Sequence, residues 1–518
     1  MNRWGVQVAR SSRRQRNGVR IGALAACGAL AVGGLAACAP SGDADDGESS
    51  ITIAVSAIPG SFNPYEGISL FSYPLQAVYE PLLRDEGGFS AGLAESWEVA
   101  PEGGSIELHL RENVEYVDGT HMNADTVIEY LDDIFADPKF AFACCVAGDR
   151  PVSVEKTGEY SLKLTSTGDY RDFRDGTIPW SWWGFPIISP AAVEDRSLLD
   201  DGPQGTGPYL VDDWQPDVSI SFVRNPNYWN PDAYPFDKVT YVQYTDDVAI
   251  LNALKTGQVD SGVLGVDKIQ EAEASGLNVT TGIGPTTYLK VTDLDGSVLK
   301  PLGDVRVRQA MAMAFDRKAI GESINLGYGY ATSQLFTSDS IEYVEGGDDR
   351  YPYDVERAKE LLAEAGYPDG FDLPITVAAT WGAQYYPVIQ QSLADIGINV
   401  IYTTVPDADL GSLLTDVWPK GTVGISTLNI AVGDAEFFIE HHGADADVQT
   451  IYKHAQNAPE PERKADLDEL GKIFLDQAWY IPVGIVPSFY VSRPGYDVEL
   501  INPFARYVYL DGYLKVDE

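Results

Sequence analysis

The sequence predicts a mixed α/β protein built from more than one lobe. Stretches of alternating polarity and stretches with apolar residues three and four apart interleave along the whole chain. At 518 residues the chain is longer than a single core encloses. Its composition, 44% hydrophobic and 22% charged, is that of a globular protein.

The first 37 residues stand apart. They hold six arginines and no acid, ahead of an apolar, small-residue stretch from Ile21 to Ala37. This pattern reads as an export signal. It ends in Leu35-Ala36-Ala37-Cys38, which resembles the bacterial lipobox and makes Cys38 the expected acylation site. Leu24-Ala25-Ala26-Cys27 is a second match, but cleavage there leaves too short an apolar core behind it. Arg13-Arg14 suggests twin-arginine export, although Gln15, Arg16 and Asn17 replace the usual apolar residues. Residues 38–50 are small, polar and acidic, as in a flexible lipidated tether. The expected location is therefore the outer face of the cytoplasmic membrane, with contact to the bilayer through the lipid alone. No later apolar run reaches the roughly 20 residues of a membrane span.

Beyond the tether, Ile51–Val55 is an alternating β-branched run and reads as a strand. Val78–Leu83, Ile106–Leu110, Tyr160–Leu164, Ser219–Arg224, Lys238–Tyr244 and Pro374–Ala379 read likewise. Asn123 is placed to cap a helix from Ala124. Asp247 is expected to cap Val248–Thr256, with Gly257 closing it. Asp304 is expected to cap a helix through Phe315, Asp316 to start another, and Asp354 to cap Val355–Ala365.

The formal charge of −41 repels nucleic acid and anionic headgroups. The chain lacks the GxSxG, HExxH and GxxxxGK[ST] motifs, so an enzyme is not expected. The surplus of carboxylates leaves an acid-pair hydrolase as a distant alternative. The five histidines include adjacent His441 and His442, but no further ligand cluster accompanies them, so neither a metal nor a cofactor is expected. Cys144 and Cys145 have no mature partner but each other. In an oxidising compartment they are expected to form a vicinal disulfide, as against two buried thiols.

Several blocks resemble the ABC-transporter solute-binding proteins of family 5, the oligopeptide-, dipeptide- and nickel-binding lipoproteins. They are Tyr79-Glu80-Pro81-Leu82-Leu83, Gly92-Leu93-Ala94-Glu95-Ser96-Trp97-Glu98, Leu110–Val127, Gly205-Thr206-Gly207-Pro208-Tyr209, Arg224–Trp229, Leu251–Asp260, Asp304–Arg317, Ala358–Asp369 and Gln390–Ile398. Physically, Gly119 and Gly207 suit tight turns, and Asn225-Pro226-Asn227 reads as a turn that sets Tyr228 and Trp229 against a lobe.

The resemblance implies a periplasmic-binding-protein-like fold (type II, cluster C). This is a Venus flytrap of two main lobes with an additional inserted lobe. It divides the chain into a signal peptide (1–37), tether (38–50), lobe I (51–78, 201–284 and 486–518), inserted lobe II (79–200) and lobe III (285–485). It also implies a monomer that captures a small organic solute between lobes and delivers it to an ABC permease and its ATPase. Peptide is the first choice of solute, and oligosaccharide or another polar organic the second. A nickel-chelate binder and a sensor or interaction lipoprotein without transport are the alternatives. Candidate ligand contacts are Trp180, Trp182, Trp183, Trp381, Tyr385 and Trp418, because exposed aromatic rings in a cleft stack on ligand faces. Peptide-binding members place an Asp before a segment comparable to Gly433–Phe438, to receive the peptide ammonium. Here the 427–432 loop has no acid, which moves Asp434 into candidacy.

Overall fold

The computed structural model describes residues 49–66, 73–85, 89–136, 152–166, 173–175, 187–338, 340–379, 382–406, 412–413, 417–428, 446–485, 487–500 and 508–516. The readings made on the signal segment, on Cys38 and on Cys144 and Cys145 lie outside the described residues. Among those residues, no helix is long and apolar enough to cross a membrane.

Lobe I is organised on a seven-stranded mixed sheet. Its spatial order is Asn278–Gly282, Ser488–Ser492, Ser261–Leu264, Ser50–Val55, Lys238–Gln243, Ser219–Arg224 and Tyr209–Gln215. Ser50–Val55 lies near the centre, parallel to both neighbours, which is why nearly all of this β-branched run is buried. Lobe II carries a four-stranded antiparallel sheet, Ala94–Val99, Ser105–Leu110, Ser161–Ser166 and Val152–Gly158. The helix Ala124–Ala136 packs on it. Asn123 starts that helix reciprocally: its Oδ1 accepts from the Thr126 N–H, and the Thr126 hydroxyl accepts from the Asn123 N–H.

Lobe III joins a three-stranded antiparallel sheet (Val423–Leu428, Thr286–Val291, Tyr480–Ile485) to a parallel pair (Phe371–Ala378, Ile398–Val405). Its helices start where an aspartate precedes the apolar stripe. Asp304, Asp316 and Asp354 accept from the N–H groups of Arg306, Ala319 and Arg357. The helix expected to run through Phe315 stops at Met313. In lobe I the cap is Asp246, one residue before the expected Asp247. Asp247 instead accepts from the Gly265 N–H, tying the helix to the next loop.

Two corrections concern the lobe I–lobe II seam. The expected strand Val78–Leu83 is irregular, and only Leu83–Asp85 forms a short strand. Its backbone groups pair with scattered segments: Gly207 N–H donates to Val78 O, Ile187 to Glu80 O and Ala94 to Leu82 O. Gly207 does not serve a turn. A Cβ there would lie 2.4 Å from the Val78 carbonyl carbon, so glycine is needed for contact between the two backbones.

The Glu80 carboxylate is buried at this seam. It accepts from the Tyr228 hydroxyl (2.7 Å), the Thr206 hydroxyl (2.8 Å) and the Trp229 indole N–H (3.2 Å). Asn225 shapes the turn that presents Tyr228 and Trp229, accepting from the Asn227 N–H through its side chain. Burial outweighs these bonds and pushes the Glu80 carboxyl up to about 7. A carboxyl raised on folding contributes stability that is complete below its unfolded value and is lost as pH rises through the folded value. Wild type is expected to lose on the order of 3 kcal/mol from this group between pH 4.5 and 7. In Glu80→Gln that pH dependence should flatten, measured by urea unfolding at several pH values. An unchanged slope in the variant would show that Glu80 does not titrate there.

Candidate functional site

Lobes I and II share one continuous apolar core, running from Ile51 and Ile53 through Leu108 and Leu131 to Phe222 and Tyr241. Lobe III is filled by separate clusters, one around Leu289, Met311, Ile375 and Ile425, another around Tyr288, Phe336, Phe474 and Trp479. The link between these bodies is a pair of crossing strands. Asn278–Gly282 and Ser488–Ser492 pair in lobe I, and the same two chain segments continue as Thr286–Val291 and Tyr480–Ile485, paired in lobe III. Separate cores joined by two strands are the arrangement from which hinged lobes are built.

Asn325 braces the lobe III side of this crossing. It ends the helix Arg317–Ile324, is 3% exposed, and donates from Nδ2 to the Ile485 carbonyl at 2.6 Å. Its Oδ1 accepts from the Tyr385 hydroxyl at 3.1 Å. The following turn carries Tyr328 onto Phe489 of lobe I, edge to face at 4.9 Å between centroids. Lobe II also reaches lobe III. The Arg174 guanidinium donates to Ala458 O (2.6 Å), Ala455 O (3.0 Å) and Gln456 O (3.2 Å) at the end of the helix Ala446–Asn457, and to Pro101 O in its own lobe. A cation at a helix C-terminus satisfies carbonyls that have no partner within the helix.

Of the aromatic residues named as candidate ligand contacts, two are described and both are packed inside lobe III. Tyr385 is fully buried, its hydroxyl used by Asn325. Trp418 is 4% exposed, and its indole N–H donates to Thr376 O at 2.8 Å. Each is a large apolar body whose polar tip is satisfied internally, so neither presents a free ring face. Trp180, Trp182, Trp183, Trp381, Asp434, His441 and His442 lie outside the described residues. The described histidines have local partners: His109 meets Ser161, His121 faces Glu115, and His454 pairs with Asp466. No group of three metal-binding side chains occurs among the described residues.

Asn325, Arg174 and Lys290 escaped the sequence reading. Asn325 and Arg174 carry no local signal. Lys290 shows as a lone charge in the otherwise neutral strand Thr286–Val291. Buried Arg317, within a recognised block, is structural: it donates to the carbonyls of Pro482, Tyr351 and Ala312.

Two lobes with separate cores, joined by paired crossing strands and extended by an inserted lobe, define a binding protein of the flytrap class. Residues 88–448 match the model of the bacterial extracellular solute-binding proteins, family 5, and the chain belongs to that family. The family is one of binding proteins, not enzymes. The chain is 30% identical over 354 residues to heme-binding protein A of Haemophilus influenzae, a match spanning 61% of each chain. It thus covers about three fifths of that relative's length. It is 26% identical over 386 residues to the glutathione-binding protein GsiB of Escherichia coli, covering 72% of each. The fold matches that of AgaA from A. tumefaciens R10, solved with agropinic acid, at a TM-score of 0.73 and 21% identity, over 90% of this chain and 99% of that one.

The clamp has a measurable consequence. Asn325→Ala leaves the Ile485 carbonyl and the Tyr385 hydroxyl buried without their partner, each worth about 1–3 kcal/mol. Tyr385→Phe removes one bond and is expected to cost about 1 kcal/mol. Urea unfolding that finds Asn325→Ala as stable as wild type would rule the clamp out.

Proposed function

We propose that this protein captures a small organic solute between lobe III and the lobe I–II body and delivers it to an ABC permease. The observation that carries this reading is the pair of strands crossing between two separately cored bodies. A ligand that contacts both bodies stabilises the arrangement in which they meet, and its differential affinity drives closure. Peptide-like solutes come first, and oligosaccharides or other polar organics second. The name of one relative, the glutathione-binding protein GsiB, favours the first group, since glutathione is a tripeptide, whereas heme, named in the other, is a polar organic of the second. Trp180, Trp182, Trp183, Trp381 and Asp434 are the proposed contacts. Residues 1–37 act as the export signal, and Cys38 carries the lipid.

The test is a panel of peptides, glutathione and oligosaccharides, read by thermal unfolding and small-angle scattering. A captured solute should raise stability by RT ln(1 + [L]/Kd) and reduce the radius of gyration. Scattering curves that stay superimposable at a saturating concentration of a stabilising solute would count against closure. For the anchor, Cys38→Ser should move the protein from the membrane fraction to the soluble fraction. Retention in the membrane fraction would eliminate Cys38 as the acylated residue.

A further inference from the structure

The Arg174 guanidinium joins lobe II to lobe III from a fixed base. Its neighbour Phe173 is buried in the core that lobes I and II share, and the Phe173 N–H donates to Gly103 O at 2.9 Å. One guanidinium nitrogen donates to Pro101 O and Ala458 O, the other to Ala455 O and Gln456 O. On the lobe III side, the helix Ala446–Asn457 is rooted by Val448, Tyr452 and Ala455 in the cluster around Phe474. Four residues after Ala455 stands Pro459, which has no N–H, so the helix itself offers the Ala455 carbonyl no donor at that place. The contact therefore ties two separately cored bodies through a group that each of them holds in place.

Its position across the fold matters as much as its strength. In the seven-stranded sheet of lobe I, Asn278–Gly282 forms one edge and Tyr209–Gln215 the other. The strands that lead to lobe III are at the first edge, Asn278–Gly282 and its neighbour Ser488–Ser492. Lobe II is fastened at the second, where Gly207 N–H donates to Val78 O and Val117 N–H to Gly205 O just ahead of Tyr209. Six strand spacings of about 4.8 Å put the two edges about 29 Å apart. Lobe III thus meets the lobe I–II body at the crossing strands and again on the far side of the sheet from them.

We propose that Arg174 is a positioning residue for solute capture: it ties lobe II to the helix end of lobe III and so stabilises the arrangement in which the lobes meet, without touching the solute. The role rests on the solute-capture reading, while the tie itself exists in the solute-free protein. Because Arg174 favours the meeting arrangement whichever solute is held, it raises the fraction of protein competent to bind and lowers every apparent Kd by one common factor. A residue that touched the solute would change the affinities unequally. Arginine suits the place because its planar fork reaches carbonyls of both lobes at once, which a lysine ammonium does not.

The test has two arms. In small-angle scattering without solute, Arg174→Ala should show a larger radius of gyration than wild type. Arg174→Glu, which sets a negative charge against a helix C-terminus, should show a larger one still. Arg174→Lys keeps a cation at the helix end without the fork and should fall between wild type and Arg174→Ala. The second arm is calorimetry with the peptides, glutathione and oligosaccharides named above. Each Kd measurable for wild type should rise in Arg174→Ala by about tenfold, on the order of one hydrogen bond to a charged group, and by the same factor for every solute. Superimposable scattering from wild type, Arg174→Ala and Arg174→Glu would overturn the tie, whatever the panel binds. Unequal changes that reorder the solutes would make Arg174 a solute contact and overturn its positioning role. A panel in which nothing binds wild type would count against the proposed solutes, and the scattering arm would then decide the tie by itself.

Discussion

The architecture depends on one buried carboxylate. Glu80 collects three donors from two distant stretches of chain, Thr206 and the adjacent Tyr228 and Trp229, at the seam between lobes I and II. The guanidinium of Arg111, which bonds Gly92 O, lies over the Trp229 ring at 4.0 Å. Arg84, four residues after Glu80, holds Asp511 bidentately and stacks on Tyr509. The seam therefore fastens the start of the inserted lobe both to the middle of lobe I and to the chain's last segment. Removing the acceptor would strand several buried donors at once, which is why such a group acts as a register pin.

That pin sets the mechanics. Lobes I and II share a core, and two strands carry the backbone link to lobe III, so the proposed closure is a rotation about those strands. The apolar cores stay intact in such a rotation, so little hydrophobic free energy opposes it. The contacts that cross to lobe III are local, the Tyr328–Phe489 edge near the axis and the Arg174 bonds to Ala455, Gln456 and Ala458. Small terms of this kind suit a protein whose solute must tip the balance between two arrangements.

What could be read in the sequence follows from how local each cause is. An aspartate before an apolar stripe announces a helix start, and Asp304, Asp316 and Asp354 behave accordingly. The blocks around Glu80, Thr206 and Tyr228 were visible as a family resemblance, whereas their convergence on one carboxylate is purely tertiary. Val78–Leu83 misled because its composition suits a strand, while its backbone partners are scattered, Gly207 and Ile187 more than 100 residues away and Leu93 and Ala94 only twelve. Tyr385 and Trp418 misled because an aromatic beside a strand reads alike whether it faces solvent or core. The hinge clamp was hidden because an asparagine after a helix ordinarily means no more than a helix end.

Arg174 gives the molecule a third point of attachment, far in sequence from the two strands. A body held at two strands and one remote point is constrained like a gate with hinges and a catch. The carbonyls of Ala455 and Gln456 lie in the last turn of the helix Ala446–Asn457 and that of Ala458 just beyond it, so one guanidinium gathers three acceptors from a single helix end. In the proposed movement this group acts at one end of the travel only, adding stability to the arrangement described and none to one turned away from it.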